Sequence, residues 1–251
     1  MANDPVISVQ NLGIGFDNLI VQQSIDFDVY PGEILAILGG SGSGKSTLLK
    51  SMLGLNKPLK GDILIDGDSI AMAREHDQIY KRILGKIGVT YQGIAFLGSL
   101  TIAENVALPY EEHTDLSREE ISTLVCIKLG LVNLCGFEHY LPSEISGGMK
   151  KRAAIARAIA LDPKILFLDE PSAGLDPVLS AEIDNLLTRI NREMNISMVI
   201  VTHELSSIFR IADRIIVLDN KGNGILDQGP PSRLAQESKN EYVQKFLNIQ
   251  N

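Results

Sequence analysis

Apolar positions along the chain fall into short runs punctuated by Gly, Pro and polar residues. Val6 to Val9 and Ile25 to Val29 alternate or are β-branched, which predicts strands. Pro31-Gly32 marks a turn. Ile34 to Leu38 is a continuous apolar run, the pattern of a strand buried on both faces. After a Gly/Ser loop, Lys45 to Leu53 predicts a helix, and Ile63 to Ile65 and Ile87 to Tyr91 predict further strands. From about Thr101 to Leu161 the pattern is helical, with Ser117 placed as an N-cap ahead of Glu119 and Glu120. Strand character returns at Ile165 to Leu168, Met198 to Val201 and Ile215 to Leu218. Between the first two of these, Leu179, Ile183, Leu186, Leu187, Ile190 and Met194 mark one face of an amphipathic helix. Strands alternating with helices predict a mostly parallel sheet covered on both faces. The helical block reads as an insertion in one α/β domain.

Composition narrows the function classes. The 251 residues are 45% hydrophobic and 22% charged, as in a globular protein with a real core. A formal charge of −8 argues against a broad basic face for nucleic acid, though not against a local anion site. Cys126 and Cys135 are too few for a disulfide framework or a zinc site, and buried reduced thiols are expected. Met1 to Pro5 has no basic or apolar leader character. The longest apolar stretches are strand-sized, well short of the ~20 residues of a membrane helix. Work on a membrane would go through a partner.

Gly39-Gly40-Ser41-Gly42-Ser43-Gly44-Lys45-Ser46 fits G-x-x-x-x-G-K-[ST] without departure. Backbone N–H groups must wrap a polyphosphate, and side chains would obstruct the wrap. The helix that follows points its positive end at the anion. Lys45 is expected to reach the terminal phosphates and Ser46 to offer a hydroxyl to Mg²⁺. Ile165 to Leu168 runs into Asp169 and Glu170. Asp169 suits the carboxylate that holds Mg²⁺, and Glu170 the base that polarises an attacking water. His203 follows another apolar strand on the same expected edge of the sheet, where a γ-phosphate contact is expected.

Ser146-Gly147-Gly148-Met149-Lys150-Lys151-Arg152 resembles the signature motif of ABC transporter ATPases, with Ile145 and Met149 in place of the usual leucine and glutamine. Other residues resemble the rest of that cassette, in the usual order. Phe16 resembles the aromatic that stacks on adenine, and Gln92 the Q-loop glutamine. Ser172-Ala173-Gly174-Leu175-Asp176 resembles the D-loop, and His203 the switch histidine. The resemblance implies an ABC ATPase cassette over residues 6–247. This is an α/β fold with a P-loop NTPase parallel core, an N-terminal antiparallel β part and a helical subdomain inserted at about 93–162. It implies ATP binding by Phe16, Gly39, Gly40, Ser41, Gly42, Ser43, Gly44, Lys45, Ser46, Thr47, Gln92, Ser146, Gly147, Gly148 and Asp176. Mg²⁺ would be held by Ser46, Gln92 and Asp169, and Glu170 and His203 would be catalytic. A hydroxyl and bare amides ahead of the alanine-rich stretch Ala153 to Ala160 form a second anion site. In the family this site faces the phosphate loop of another subunit, so a homodimer is implied. Lys150, Lys151 and Arg152 read as a solvated helix face.

Leu141 to Met149, with Arg152-Ala153-Ala154 and Glu112-His113-Thr114, resembles the ATPases of Mla/Mce-type phospholipid transporters. Glu112-His113-Thr114 alone reads as an exposed loop. The implied partners are integral membrane permease subunits, a lipid-binding Mce-domain subunit and a small regulatory subunit, with no nucleic acid. The implied location is the cytoplasmic face of the inner membrane. The permease contact is expected near Ile94 to Leu100. Another cargo (a drug, a lipoprotein or an amino acid) is the alternative reading. A soluble ABC ATPase acting on nucleic acid would want fused cassettes and a basic surface. A GTPase would want Asn-Lys-x-Asp, which Asn56-Lys57-Pro58-Leu59 and Asn220-Lys221-Gly222-Asn223 both fail.

Overall fold

The computed structural model describes residues 4–16, 19–93 and 95–248. The first half runs β1 (Ile7–Phe16), β2 (Leu19–Val29), β3 (Ile34–Leu38), α1 (Lys45–Met52), β4 (Lys60–Ile65), β5 (Asp68–Ser69), α2 (Ile70–Ala73), α3 (Asp77–Leu84) and β6 (Ile87–Thr90). Three α-helices follow before the next strand, α4 (Ile102–His113), α5 (Arg118–Leu131) and, after a 3-10 turn at Pro142–Glu144, α6 (Gly147–Ala158). The chain then returns to β7 (Ile165–Asp169), α7 (Pro177–Met194), β8 (Ser197–Val201), α8 (Leu205–Ile211), β9 (Arg214–Leu218), β10 (Ile225–Gly229), α9 (Pro231–Glu237) and α10 (Glu241–Leu247).

Two sheets result. One has the order β2-β1-β4-β5, with antiparallel pairing throughout. The other has the order β10-β9-β3-β8-β7-β6 and is parallel apart from β10. β3 has every residue buried, because its two faces feed different cores, Ala36 and Leu38 packing with Ile208, Val217 and Leu234. Leu35 and Ile37 join α1 and the antiparallel sheet in one cluster, together with Phe167, Val199 and Ile216. Ile34 packs on the other side with Leu166, Leu168, Met198 and Ile200, against α4 to α7. The period-2 alternation of a strand thus serves both layers, and each buried aliphatic side chain contributes roughly 1.5–3 kcal/mol.

The expected strands and helices are present, with instructive differences at their ends. β1 and β2 are far longer than Val6 to Val9 and Ile25 to Val29. Gly13, Gly15 and Gln22 break the apolar pattern there, yet the ladder continues through register shifts after Val9, Leu12 and Ile14. α4 runs through Pro109 to His113, so Glu112 and His113 form its last turn rather than a loop. Thr114 closes that turn, its N–H and hydroxyl both donating to Tyr110 O (2.9 and 2.7 Å). α5 starts where its cap predicts. Ser117 Oγ accepts from Glu120 N, and Glu120 accepts from Ser117 N in return. Cys126 and Cys135 are exposed, against expectation, because they fall on the outer sides of α5 and the loop after it. Among the described residues no helix is long and apolar enough to cross a membrane. Ile94, at the start of the segment expected to meet a permease, lies outside the described residues.

Candidate active site

The parallel sheet sets out the chemistry along one edge. In the adjacent strands β3, β8 and β7, Ile37 pairs with Val201 and Val201 with Asp169. The residues just beyond this row are therefore neighbours: Gly39 to Ser46 after β3, His203 after β8 and Glu170 after β7. Gln92, exposed, follows β6 at the same edge. Loops at the carboxyl ends of parallel strands are where such sheets bind ligands.

The phosphate loop is shaped by its glycines. Gly44 has φ +88°, and a Cβ there would lie 2.7 Å from Val21 Cγ1. It serves as the N-cap of α1 with no side-chain hydrogen bond, so the first-turn amides of α1 keep their donors. Lys45 Nζ donates to Gly39 O (2.8 Å) and Gly40 O (3.0 Å), which places the ammonium across the loop. Burial pushes its pKa down, while the Glu170 and Asp169 carboxylates pull it up. Ser43 Oγ is buried with no hydrogen-bond partner among the described residues, and Ser46 is exposed at the rim. Thr47 sits half-buried in the first turn of α1.

Glu170 is only 8% exposed. Its Oε1 lies 2.7 Å from His203 Nδ1, and its Oε2 accepts from Thr202 Oγ1 at 3.2 Å. The His203 side chain is 67% exposed, so one ring nitrogen faces the carboxylate while the ring stays accessible. Asp169 is half-buried. Burial pushes its carboxyl pKa up and the Glu170 charge adds to this, against Lys50, Lys151 and Lys45. The geometry can cradle a polyphosphate in amides and an ammonium. It also holds an acceptor carboxylate, tied to an imidazole, beside it.

Among the described residues no cluster of three or more His, Cys, Asp or Glu side chains is spaced to hold a metal. The donors at hand are oxygens, the Asp169 carboxylate and the Ser46 hydroxyl. That set fits a hard cation such as Mg²⁺, which takes most of its ligands from phosphate and water.

Ser146 to Gly148 belong to the helical layer. Ser146 caps α6, its Oγ accepting from Met149 N at 3.3 Å. Gly148 is buried, and a Cβ added there would contact Leu175 and Leu179. Asp176 caps α7, its Oδ1 accepting from Val178 N and Leu179 N. Phe16 ends β1 and is 52% exposed. Lys151 corrects the sequence reading. It is 9% exposed rather than solvated, and its Nζ donates to Glu170 O at 3.0 Å and Gln92 O at 3.5 Å. Its neighbours Lys150 and Arg152 are half-exposed.

Three supporting residues escaped sequence reasoning. Gln22 is fully buried. Its Nε2 donates to Ser43 O (2.8 Å) and Asp219 O, and its Oε1 accepts from Gly224 N. It thereby joins β2, the phosphate loop and the β9–β10 turn. Asn105, also fully buried, donates to Leu97, Leu100 and Thr101 carbonyls and so fixes the segment after Gln92. Glu204 accepts from Ser172 Oγ (2.9 Å) and Ser180 Oγ (3.4 Å), tying the loop after β7 to α7 and α8. The one available signal was a lone amide or acid within an apolar context, which is too common to be diagnostic.

Comparison with known proteins agrees with this arrangement. The family model described as ABC transporter matches residues 22–173, more than half of the chain. A Mycobacterium leprae protein named as a probable ribonucleotide transport ATP-binding protein is 39% identical over 96% of this chain and 68% of its own length. The Haemophilus influenzae intermembrane phospholipid transport system ATP-binding protein MlaF is 37% identical over 96% of this chain and 90% of its own length. A Mannheimia succiniciproducens methionine import ATP-binding protein is 36% identical, with 96% and 70% covered. Among solved structures, the dimeric post-hydrolysis state of the cassette MJ0796 with ADP and Pi superposes with TM-score 0.79 at 30% identity, covering 89% of this chain and 98% of that one. Clostridium perfringens cbiO1, part of the cbiONQ complex, gives 0.84 at 29%, covering 99% and 96%. With the phosphate loop, Gln92, Glu170 and His203 gathered at one sheet edge and the family match over most of its length, this chain belongs to the ABC transporter family, as an ATP-hydrolysing subunit.

Proposed function

We propose that two copies of this chain close on two ATP molecules at the cytoplasmic face of the inner membrane and drive phospholipid movement through a permease. The contact that carries the chemistry is Glu170 Oε1 to His203 Nδ1 at 2.7 Å, beside the phosphate loop. The loop amides and Lys45 bind the phosphates, and Phe16 stacks on the base. Asp169, Ser46 and Gln92 would hold Mg²⁺, which supplies charge neutralisation on the phosphates when bound. Glu170 accepts a proton from the attacking water, and His203 orients that carboxylate and reaches toward the γ-phosphate. Ser146, Gly147 and Gly148 present the start of α6 to the partner's nucleotide, with Asp176 in the facing loop. Tighter binding of ATP than ADP to the closed form supplies the stroke.

Phospholipid is the cargo best supported. Methionine ends the signature segment, and the identity to the H. influenzae phospholipid-transport protein spans nearly all of both chains. An Mce-domain subunit and a small regulatory subunit would complete the assembly. The test is purification of the chain from its host with its membrane partner, followed by lipid extraction. Bound phospholipid is expected, together with an envelope in the deletion strain that is sensitive to detergent. Glu170→Gln should fail to cure that sensitivity and should accumulate as an ATP-bound dimer. A permease carrying methionine or nucleotides, with no lipid and an intact envelope, sinks the cargo but leaves the ATPase standing.

A further inference from the structure

Glu170 sits in the left-handed region at φ +50°, an unfavourable place for a residue with a side chain. Such a conformation persists only when its surroundings over-determine it. Three bonds do so here. Glu170 N donates to Val201 O at 2.8 Å, fixing the amide to the neighbouring strand. On the other side, Glu170 O accepts from Ala173 N at 3.3 Å within the turn and, more closely, from Lys151 Nζ at 3.0 Å. The same ammonium lies 3.5 Å from Gln92 O. Among the described residues Lys151 makes no salt bridge, and at 9% exposure it is an expensive place for an ammonium. An apolar side chain would fill that space more cheaply, so the charge there answers to the two carbonyls and to the nearby Glu170, Asp169 and Glu204 carboxylates.

We propose that Lys151 is a positioning residue for Glu170. Its ammonium, held between the carbonyl oxygens of Glu170 and Gln92, keeps the backbone of the carboxylate in its left-handed turn and ties that turn to the first helical residues of α6. The inference rests on the reading of Glu170 as the base. It adds a link inside one subunit. Ser146 to Gly148 head the same helix, one turn before Lys151, so a shift of that helix end reaches Glu170 and Gln92 together. The signature end of α6 and the carboxylate of the same chain are then mechanically one unit.

The test uses the full chain and four variants, Lys151→Met, Lys151→Arg, Glu170→Gln and the double variant Lys151→Met/Glu170→Gln. Lys151→Met keeps the length of the side chain and removes its donor. Its thermal stability should hold or rise, since a buried ammonium is lost. Its kcat should fall by about 10–10²-fold, the scale of a misplaced catalytic group, with KM for ATP nearly unchanged. Lys151→Arg should recover most of the rate. In single-turnover measurements, Lys151→Met should add less than about twofold to the loss already caused by Glu170→Gln, because both act at one carboxylate. Wild-type kcat in Lys151→Met overturns the proposal, and so does a full additional loss in the double variant, or a well-folded Lys151→Arg as slow as Lys151→Met. If Lys151→Met does not fold, Lys151→Gln, a shorter uncharged donor, takes its place with the same expected fall. Near-wild-type turnover in Glu170→Gln strikes instead at the base assignment. That outcome is distinct from a fast Lys151→Met beside a dead Glu170→Gln.

Discussion

Two helices of this molecule begin with glycine-rich segments, and they begin differently. α1 follows Gly44, which is left-handed and offers no side-chain cap. α6 follows Ser146, which is extended and whose Oγ accepts from Met149 N. The first helix end leaves its amides unsatisfied and backs them with Lys45. The second has spent one of its donors on itself and is followed by Lys151, which faces inward to carbonyls. Both ends carry the positive pole of a helix. Only α1 is furnished to hold a polyphosphate unaided. The end of α6 suits a weaker role, adding donors to an anion already bound elsewhere, as the proposed closed dimer requires.

The sharpest way to break this contrast is Glu170→Gln. General-base loss typically costs ~10²–10⁴-fold. Turnover should fall by that much while labelled ATP still binds the chain. Turnover close to wild type would remove Glu170 from the chemistry. Next in size is Lys45→Ala. A hydrogen bond to a charged group is worth roughly 1.5–3 kcal/mol. ATP affinity in equilibrium binding should therefore weaken by about one to two orders of magnitude, and unchanged affinity would mean that the α1 end does not depend on its lysine. Ser146→Ala should act in the opposite way. ATP affinity of the isolated chain should stay put, turnover should fall, and the lost cap should cost ~0.5–2 kcal/mol. If the isolated chain loses ATP affinity, the two helix ends are not so different after all. Ser117→Ala serves as the control cap, far from both glycine segments. It should cost about 1 kcal/mol in chemical unfolding and leave turnover alone.

The smallest effect concerns acid. Arg82 and then Lys86 hold the Asp68 carboxyl down from 3.8 to about 2. A depressed carboxyl stabilises the fold in full above its unfolded pKa, and that gain disappears as pH falls through the folded value. Asp68→Asn should flatten the loss of stability between pH 3.8 and 2, measured by unfolding at several pH values. The pair is partly solvated, so the change should be slight.

Much of this was legible in the residues. The phosphate loop is contiguous, and its glycines, lysine and serine each answer one local demand. Asp169 and Glu170 could be placed because an apolar strand ends on them. The caps at Ser117 and Ser146 are local signals of the same kind. What stayed hidden depends on long-range approach. Nothing near His203 says that its ring meets Glu170, and nothing near Lys151 says that it turns inward. A charged triplet on a helix looks solvated until the sheet it packs on is known. Gln22 reads as a break in a strand, yet it is the fully buried amide that ties that strand to the phosphate loop. The cysteines failed for the opposite reason. The preference of thiols for the interior is only statistical, and here both face outward.

The place of β3 in the sheet has a consequence for how the chain emerges from the ribosome. This all-apolar strand pairs with Met198 to Val201 on one side and Arg214 to Val217 on the other. The loop after it is completed later still, when Asn220 Oδ1 accepts from Gly40 N across 180 residues of chain. Synthesis runs at about 5–20 residues per second, so the nascent strand waits roughly 8–33 s with both edges open. An unpaired apolar strand is a template for misassembly during that interval. The part of the molecule that will meet the nucleotide is thus made early and finished last, and a nascent chain stopped before residue 214 holds the whole phosphate-loop sequence while β3 still lacks one of its two neighbours.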